Sequence, residues 1–352
     1  MPGAFARALV ALNLRQEKVS SDGQQMEITF RQAPTLFWGT VQLLWGFALI
    51  HYIFYGWFVV GVAYVFREFF MSSTPAKALM AVTIILYLPS FFDGSEKKLG
   101  RPWDALRTHP IWGLSQSYFP ARLKRTVQLN PSKKYVFGWH PHGILILSRI
   151  HVYGGVWEKL FPGIPFRVLG ASPMFFVPGC REICLWFGAV DAGRKTAENV
   201  LRNNMSVAVY PGGSREIFST DPNSSITTVV LNKRKGFVKL AVKESAELVP
   251  VFVFGEKKCY KRLNVPVKIR DWLLKNLKIP LIIFWGRFLT WYPFMAEQTV
   301  VFGEPIETGN VDVNSEDEIN QLHAKYVDAV IKLFETHKKD AGYGEEEKLV
   351  VV

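Results

Sequence analysis

Two short stretches of this chain carry side chains whose types and spacing suit acid–base chemistry. The first is Phe137-Gly138-Trp139-His140-Pro141-His142-Gly143, where two histidines flank a proline and precede a glycine. Imidazole titrates near neutral pH, so a histidine held at a turn can act as a general base. Pro141 stiffens the backbone between the rings, and Gly143 lets another group approach closely. Residue types alone leave three readings open: a base, a hydrogen-bonded structural pair, or metal ligands. The metal reading is the weakest, because no acidic third ligand lies nearby.

The second stretch is Val209-Tyr210-Pro211-Gly212-Gly213-Ser214-Arg215-Glu216. Backbone N–H groups exposed at Gly212 and Gly213 could bind an oxyanion or a phosphate. Glu216 could orient a histidine. An ordinary strand-to-loop turn with a surface ion pair explains the same residues. Ser214 is no nucleophile elbow, since the Gly-x-Ser-x-Gly pattern is absent.

Both stretches follow strand-like runs. Tyr135-Val136-Phe137-Gly138-Trp139, Ser206-Val207-Ala208-Val209-Tyr210 and residues 248–254 read as strands, with helical patterns at 194–202 and 235–247 between them. Such alternation predicts an α/β layer with a mainly parallel sheet flanked by helices, and sites at the ends of its strands. Residues 319–339 read as an amphipathic closing helix and 342–352 as a flexible tail. Residues 279–294 are apolar and aromatic, which suits a buried segment or an interfacial membrane contact.

Ahead of this domain lies the strongest physical signal in the sequence. Residues 36–66 carry no formal charge, and apart from tyrosine and tryptophan only Thr40, Gln42 and His51 are polar. A bilayer core takes about 20 apolar residues in a helix. A second apolar run, 78–92, is short enough to span or to re-enter. Arg7, Arg15, Lys18 and Arg31 precede the pair and Lys97, Lys98, Arg101 and Arg107 follow it. Only Arg67 and Lys77, against Glu68, lie between the runs. Positive-inside reasoning puts both flanks in the cytosol and makes 36–92 a helical hairpin. The expected organisation is a cytosolic tail over 1–34, a membrane hairpin over 35–93, a cytosolic-facing domain over 94–341 and a tail over 342–352.

The chain is 49% hydrophobic and carries a net charge of +12 over 352 residues. The surplus of positive charge suits an anionic partner: nucleic acid, anionic lipid or a phosphate-rich cofactor. No nucleic-acid-binding motif is present, and the apolar N-terminal part favours membrane lipid. Cys180, Cys184 and Cys259 make no disulfide framework and no zinc-ligand spacing, so buried thiols in a reducing compartment are expected.

The ordered motifs resemble the type 2 diacylglycerol acyltransferase family, which includes monoacylglycerol and wax-alcohol acyltransferases. Tyr118-Phe119-Pro120 matches one block, His140-Pro141-His142-Gly143 the next, and Pro211-Gly212-Gly213 with Glu216 a third. Arg234-Lys235-Gly236-Phe237-Val238-Lys239-Leu240-Ala241, then Leu248-Val249-Pro250-Val251 with Phe254-Gly255-Glu256, then Val301 with Gly303-Glu304-Pro305-Ile306 complete the series. Ser214-Arg215 stands where many members have small or apolar residues, and the polar linker between the apolar runs is short.

The resemblance implies a glycerolipid-acyltransferase-like α/β fold behind a transmembrane or re-entrant hairpin. It also implies an enzyme of the endoplasmic reticulum or lipid-droplet surface. The expected substrates are acyl-coenzyme A and diacylglycerol, with a monoacylglycerol or fatty alcohol as the alternative acceptor. Some plant members carry Glu-Pro-His-Ser at the histidine block, which singles out His142 as the base, with His140 and Glu216 completing the catalytic set. Arg181, Arg234, Lys235 and Lys239 are candidates for the coenzyme A phosphates. Without a serine or cysteine nucleophile, direct transfer is expected, with acyl-coenzyme A as co-substrate and no metal or other cofactor. Homo-oligomerisation is compatible with the sequence. The reading from another class is a non-catalytic lipid-droplet binding protein.

Overall fold

The computed structural model describes residues 15–33, 35–51, 57–71, 73–219, 221–263 and 282–352, with Lys268 and Trp272. Its strands, in chain order, are β1 Arg15–Val19, β2 Met26–Phe30, β3 Arg122–Arg125, β4 Tyr135–His140, β5 Phe166–Gly170, β6 Ala189–Asp191 and β7 Ser206–Val209. They continue with β8 Ile226–Val229, β9 Glu247–Phe254, β10 Lys261–Arg262, β11 Phe284–Trp285, β12 Thr299–Phe302 and β13 Lys348–Val351. Nine of these form one sheet in the order β1-β2-β3-β12-β9-β4-β7-β5-β6. The block β9-β4-β7-β5-β6 is parallel throughout, whereas the β1–β2, β2–β3 and β12–β9 pairings are antiparallel.

The centre of this sheet is covered on both sides. Every residue of β4 and of β9 is buried. Successive side chains point to opposite faces of a strand, and the core divides accordingly. Tyr135, Phe137, Trp139, Val249, Val251 and Val253 join one apolar cluster, whereas Val136, Leu248, Phe252 and Phe254 join the other. The second cluster packs under helices Arg194–Arg202, Gly236–Lys243 and Glu316–His337. The last begins at Ser315, whose hydroxyl accepts the N–H of Glu318, and buries Ile319, Leu322, Tyr326, Val330 and Phe334.

Two sequence expectations are corrected here. Residues 1–34 are not simply a tail: β1 and β2 form a hairpin on the edge strand β3. Met26, Ile28 and Phe30 point inward while Glu27 and Thr29 are half-buried, a period-2 pattern in a run too short to stand out. Residues 1–14 lie outside the described residues. The C-terminal segment is also ordered, because β13 pairs in parallel with β8.

The apolar segment over 36–66 is described in two helical parts. It gives helix Leu36–Ala48 and, beyond residues outside the described set, helix Trp57–Met71. The first lies back on the domain. The Trp45 ring meets that of Trp112 at 6.0 Å, and its indole N–H donates to Ser115 Oγ at 2.9 Å. Helix Trp57–Met71 instead packs against Thr74–Phe91. The helical stretch Thr74–Lys97, of 24 residues and mean hydropathy 1.5, is long and apolar enough to cross a membrane, and none of its apolar window is buried in the protein. Of residues 279–294, those from 282 onward are described. Phe288 and Leu289 are exposed, whereas Tyr292 is buried.

Candidate active site

Strand β4 ends at His140, and the chain then turns through a cis His140–Pro141 peptide. Strand β7, the parallel neighbour of β4, ends at Val209 and leads through a Gly-Gly turn into helix Ser214–Ser219, which carries Glu216. The carboxyl ends of adjacent parallel strands thus bring the two motifs together. The backbone N–H of His142 donates to Glu216 Oε2 at 2.6 Å, and that of Val230 donates to Oε1 at 2.8 Å. A Cβ on Gly212 would overlap the Glu216 carboxyl, which explains the glycine there.

The His142 ring is oriented from its own turn. Nδ1 donates to the Gly143 carbonyl at 2.9 Å, which leaves Nε2 with the lone pair. The ring stands edge-on to Tyr210, centroids 5.6 Å apart. Burial pulls its pKa below the ordinary histidine range, against the opposing pull of the Gly143 carbonyl. Nε2 is therefore unprotonated at neutral pH, as a base requires.

His140 does not share this site. As the last residue of β4 it points into the other core cluster, where the Tyr326 hydroxyl donates to the Gly138 carbonyl at 3.1 Å and accepts from His140 Nε2 at 3.0 Å. It is fully buried, and burial lowers its pKa to about 3. His140 is thus held neutral in the core, with its ring on the opposite side of the sheet from that of His142.

Other sequence candidates also fall away from the site. Arg181 is 1% exposed and bonded to Asp93 at 2.6 Å, Glu96 at 2.8 Å and Glu182 at 3.0 Å. Its charge is satisfied inside the fold, so it is unsuited to coenzyme A. Lys235 and Lys239 reach Glu316 at 3.7 and 2.8 Å and tie two helices together. Arg234 lies closer, with Nη2 3.4 Å from the Gly212 carbonyl and its charge acting on Glu216. The Gly213 N–H is held by the Tyr210 carbonyl and is not an open oxyanion donor. Tyr118, Phe119 and Pro120 turn a helix into β3, and the Tyr118 hydroxyl donates to the Pro293 carbonyl at 2.7 Å.

Sequence reasoning missed the roles of Glu256, Tyr210 and Arg149. Glu256, buried, accepts the N–H groups of Leu147 at 2.7 Å and Ser148 at 3.0 Å, gripping the far end of the turn that Glu216 holds at His142. Gly143 sits at φ +64° with the Glu256 side chain where its Cβ would be, so a larger residue here would be strained and would displace Glu256. Burial raises both carboxyls to about 7, against the pull of the N–H groups they accept. Arg149 has Tyr153, Cys184 and Tyr210 among its polar neighbours. The Phe254-Gly255-Glu256 block was the one sequence sign of Glu256. Tyr210 and Arg149 had none, because their role depends on how strand ends meet.

A mainly parallel α/β sheet here places a histidine and a buried carboxyl together at adjacent strand ends, where enzymes of the α/β class carry their sites. The chain belongs to the diacylglycerol acyltransferase family, whose model matches residues 69–352. It is 30% identical to diacylglycerol O-acyltransferase 1 of Saccharomyces cerevisiae, over 80% of this chain and 81% of that one. It is 32% identical to 2-acylglycerol O-acyltransferase 1 of Mus musculus, over 71% and 79%. With diacylglycerol O-acyltransferase 2 of Danio rerio the figures are 34%, over 72% and 74%. The solved 1-acyl-sn-glycerophosphate acyltransferase PlsC of Thermotoga maritima aligns over 84% of this chain and 95% of that one, at 16% identity and a TM-score of 0.39.

Proposed function

We propose that this membrane-associated protein transfers a fatty acyl group from acyl-coenzyme A to the free hydroxyl of diacylglycerol, forming triacylglycerol, with His142 as general base. The observation that carries the base assignment is the Nδ1–Gly143 bond, which leaves Nε2 unprotonated on a turn held by Glu216. Nε2 takes the hydroxyl proton as the acceptor oxygen attacks the thioester carbonyl. The carbon–sulfur bond of the tetrahedral intermediate then breaks, and the proton passes from His142 to the departing thiolate. Arg149, a cation beside Tyr210, whose ring meets that of His142, is suited to the oxyanion. Arg234 is the remaining basic candidate for the coenzyme A phosphates. The thioester drives the reaction, so no metal or other cofactor takes part.

In this reading Thr74–Lys97 lies in the membrane of the endoplasmic reticulum or on a lipid droplet, and the catalytic domain faces the cytosol. A monoacylglycerol acceptor is the second reading, favoured by the similarity to a 2-acylglycerol O-acyltransferase. The test is purified protein in lipid nanodiscs with labelled acyl-coenzyme A and a panel of acceptors. Labelled triacylglycerol from diacylglycerol is expected. Turnover of monoacylglycerol alone would shift the assignment to the second reading. Absence of any transfer would favour the non-catalytic lipid-droplet protein.

A further inference from the structure

Between Arg167 and Arg181 the chain carries no charged side chain. Strand β5 and Phe175 take part of this run into the core, but the rest lies on the surface. Phe176 is 70% exposed and Met174 38%, with Pro173 and Pro178 exposed beside them. The run leads into helix Cys180–Trp186. Its last residue, Trp186, is 40% exposed and meets the ring of Trp103, 52% exposed, edge-on with centroids 5.8 Å apart. Asp104, next to Trp103, is paired with Arg107 at 3.2 Å. Scattered apolar residues on a surface are ordinary. An uncharged exposed loop beside a tryptophan pair is a patch, and patches mark contact sites.

The neighbours of the patch indicate what it contacts. At the start of helix Cys180–Trp186, Arg181 donates to the Ser90 carbonyl at 2.9 Å and to Asp93 at 2.6 Å, and Glu182 accepts from the Tyr87 hydroxyl. Tyr87 and Ser90 belong to helix Thr74–Phe91, within the stretch long and apolar enough to cross a membrane. Trp186 stands one turn after Glu182, so it shares the helix face that meets Tyr87. Phe92, Lys97 and Lys98, which follow the membrane helix, are exposed as well. Tryptophans and basic residues at the end of an apolar helix are the composition of the headgroup level of a bilayer.

We infer that residues 171–178, Trp103 and Trp186 lie in the headgroup level of a phospholipid bilayer, as a second lipid contact beside helix Thr74–Phe91. This rests on the reading of that helix as membrane-embedded. A single apolar helix does not set its own tilt, which interfacial anchors decide. The second contact therefore fixes which side of the domain faces the lipid.

The test reconstitutes the full chain in phosphatidylcholine vesicles whose acyl chains are brominated near the headgroup, so that tryptophans at that depth lose emission. Flotation after an alkaline carbonate wash comes first. Protein that washes off overturns the reading of Thr74–Lys97 as a membrane helix, and the second contact with it. For protein that floats, the emission of wild type minus that of the double variant Trp103→Phe, Trp186→Phe isolates the pair. That difference should be quenched in the brominated vesicles and shielded from aqueous iodide. A charge in place of a buried phenylalanine weakens such a contact by about 10-fold or more. Phe176→Asp should therefore restore the emission of the pair, whereas Phe176→Leu should leave it quenched. Pair emission equal in brominated and plain vesicles overturns the lipid contact. If that emission is open to iodide the patch faces water, and if it is closed a second copy of the chain covers it. Quenching unchanged by Phe176→Asp removes residues 171–178 from the contact.

Discussion

The Glu216 carboxylate meets His142 at its backbone N–H, 2.6 Å away, and not at its ring, although the two residues are 74 positions apart. The tautomer of the ring is set instead by the Gly143 carbonyl. Glu216 therefore acts on where the His142 ring stands rather than on its basicity. Glu216→Gln keeps one acceptor oxygen for two N–H donors and should loosen the turn. The expected result is kcat lower by roughly 10- to 100-fold, because small displacements of a reacting group carry that penalty. KM for acyl-coenzyme A and the acid limb of the pH profile should stay in place. A displaced acid limb would show that Glu216 tunes the imidazole after all.

The two histidines of the motif should separate by assay. A general base contributes roughly 10²–10⁴-fold to rate, so His142→Ala should lose that much turnover while its unfolding midpoint stays near wild type. The bonds of His140 are structural, so its partner gives the cleaner test. Tyr326→Phe leaves Gly138 O and His140 Nε2 without the hydroxyl that joins them, at about 1–3 kcal/mol of stability. Turnover per folded molecule should be retained. If Tyr326→Phe is as inactive as His142→Ala at full stability, the buried histidine has a catalytic role.

The pattern of what the sequence revealed follows from the range of each interaction. Strands β4, β7 and β9 were legible because their apolar runs are bounded by Gly, Pro and polar turns, and the closing helix because its period is 3.6. The meeting of His142 and Glu216 was legible too, since neighbouring parallel strands put their ends side by side. The edge hairpin was not, because five-residue strands carry too few alternations to be distinguished from a polar tail. The fate of Arg181 was equally hidden. Asp93 and Glu96 lie 88 and 85 positions away, and only the fold shows that they consume its charge. His140 and His142 look alike in sequence. A strand's alternation and the turn after it send one into each core face.

Arg181 offers a sharp test of that correction. Its guanidinium binds Asp93, Glu96 and Glu182, joining the end of the apolar helical stretch to helix Cys180–Trp186. Removing one partner of a buried ionic cluster leaves the others uncompensated, typically at about 3–5 kcal/mol. Arg181→Met should lower the unfolding midpoint in detergent by a corresponding amount, while KM for acyl-coenzyme A in the folded fraction stays unchanged. A raised KM at normal stability would restore Arg181 as a coenzyme A contact.

Glu256 makes a prediction about pH whose sign is fixed by its burial. Its carboxyl titrates at about 7 in the folded protein, against 4.5 as its ordinary value, with desolvation the leading cause. A group that holds its proton more tightly when folded contributes stability that is complete below pH 4.5. That contribution declines as pH rises from 4.5 to 7 and is absent above it. The span amounts to about 3 kcal/mol. His140 and His151, whose pKa values burial lowers to about 3 and about 4, act in the opposite sense as pH falls below the ordinary histidine value of 6.5. The slope of wild type alone therefore mixes the two. The difference between Glu256→Gln and wild type cancels the histidines and isolates the carboxyl. Gln cannot lose a proton, so the variant should gain on wild type steadily between pH 4.5 and 7 and run parallel to it above 7. Chemical denaturation across that range measures the gap. Two curves parallel from pH 4.5 upward would mean that Glu256 is already ionised in the fold, with the N–H groups of Leu147 and Ser148 enough to hold its charge.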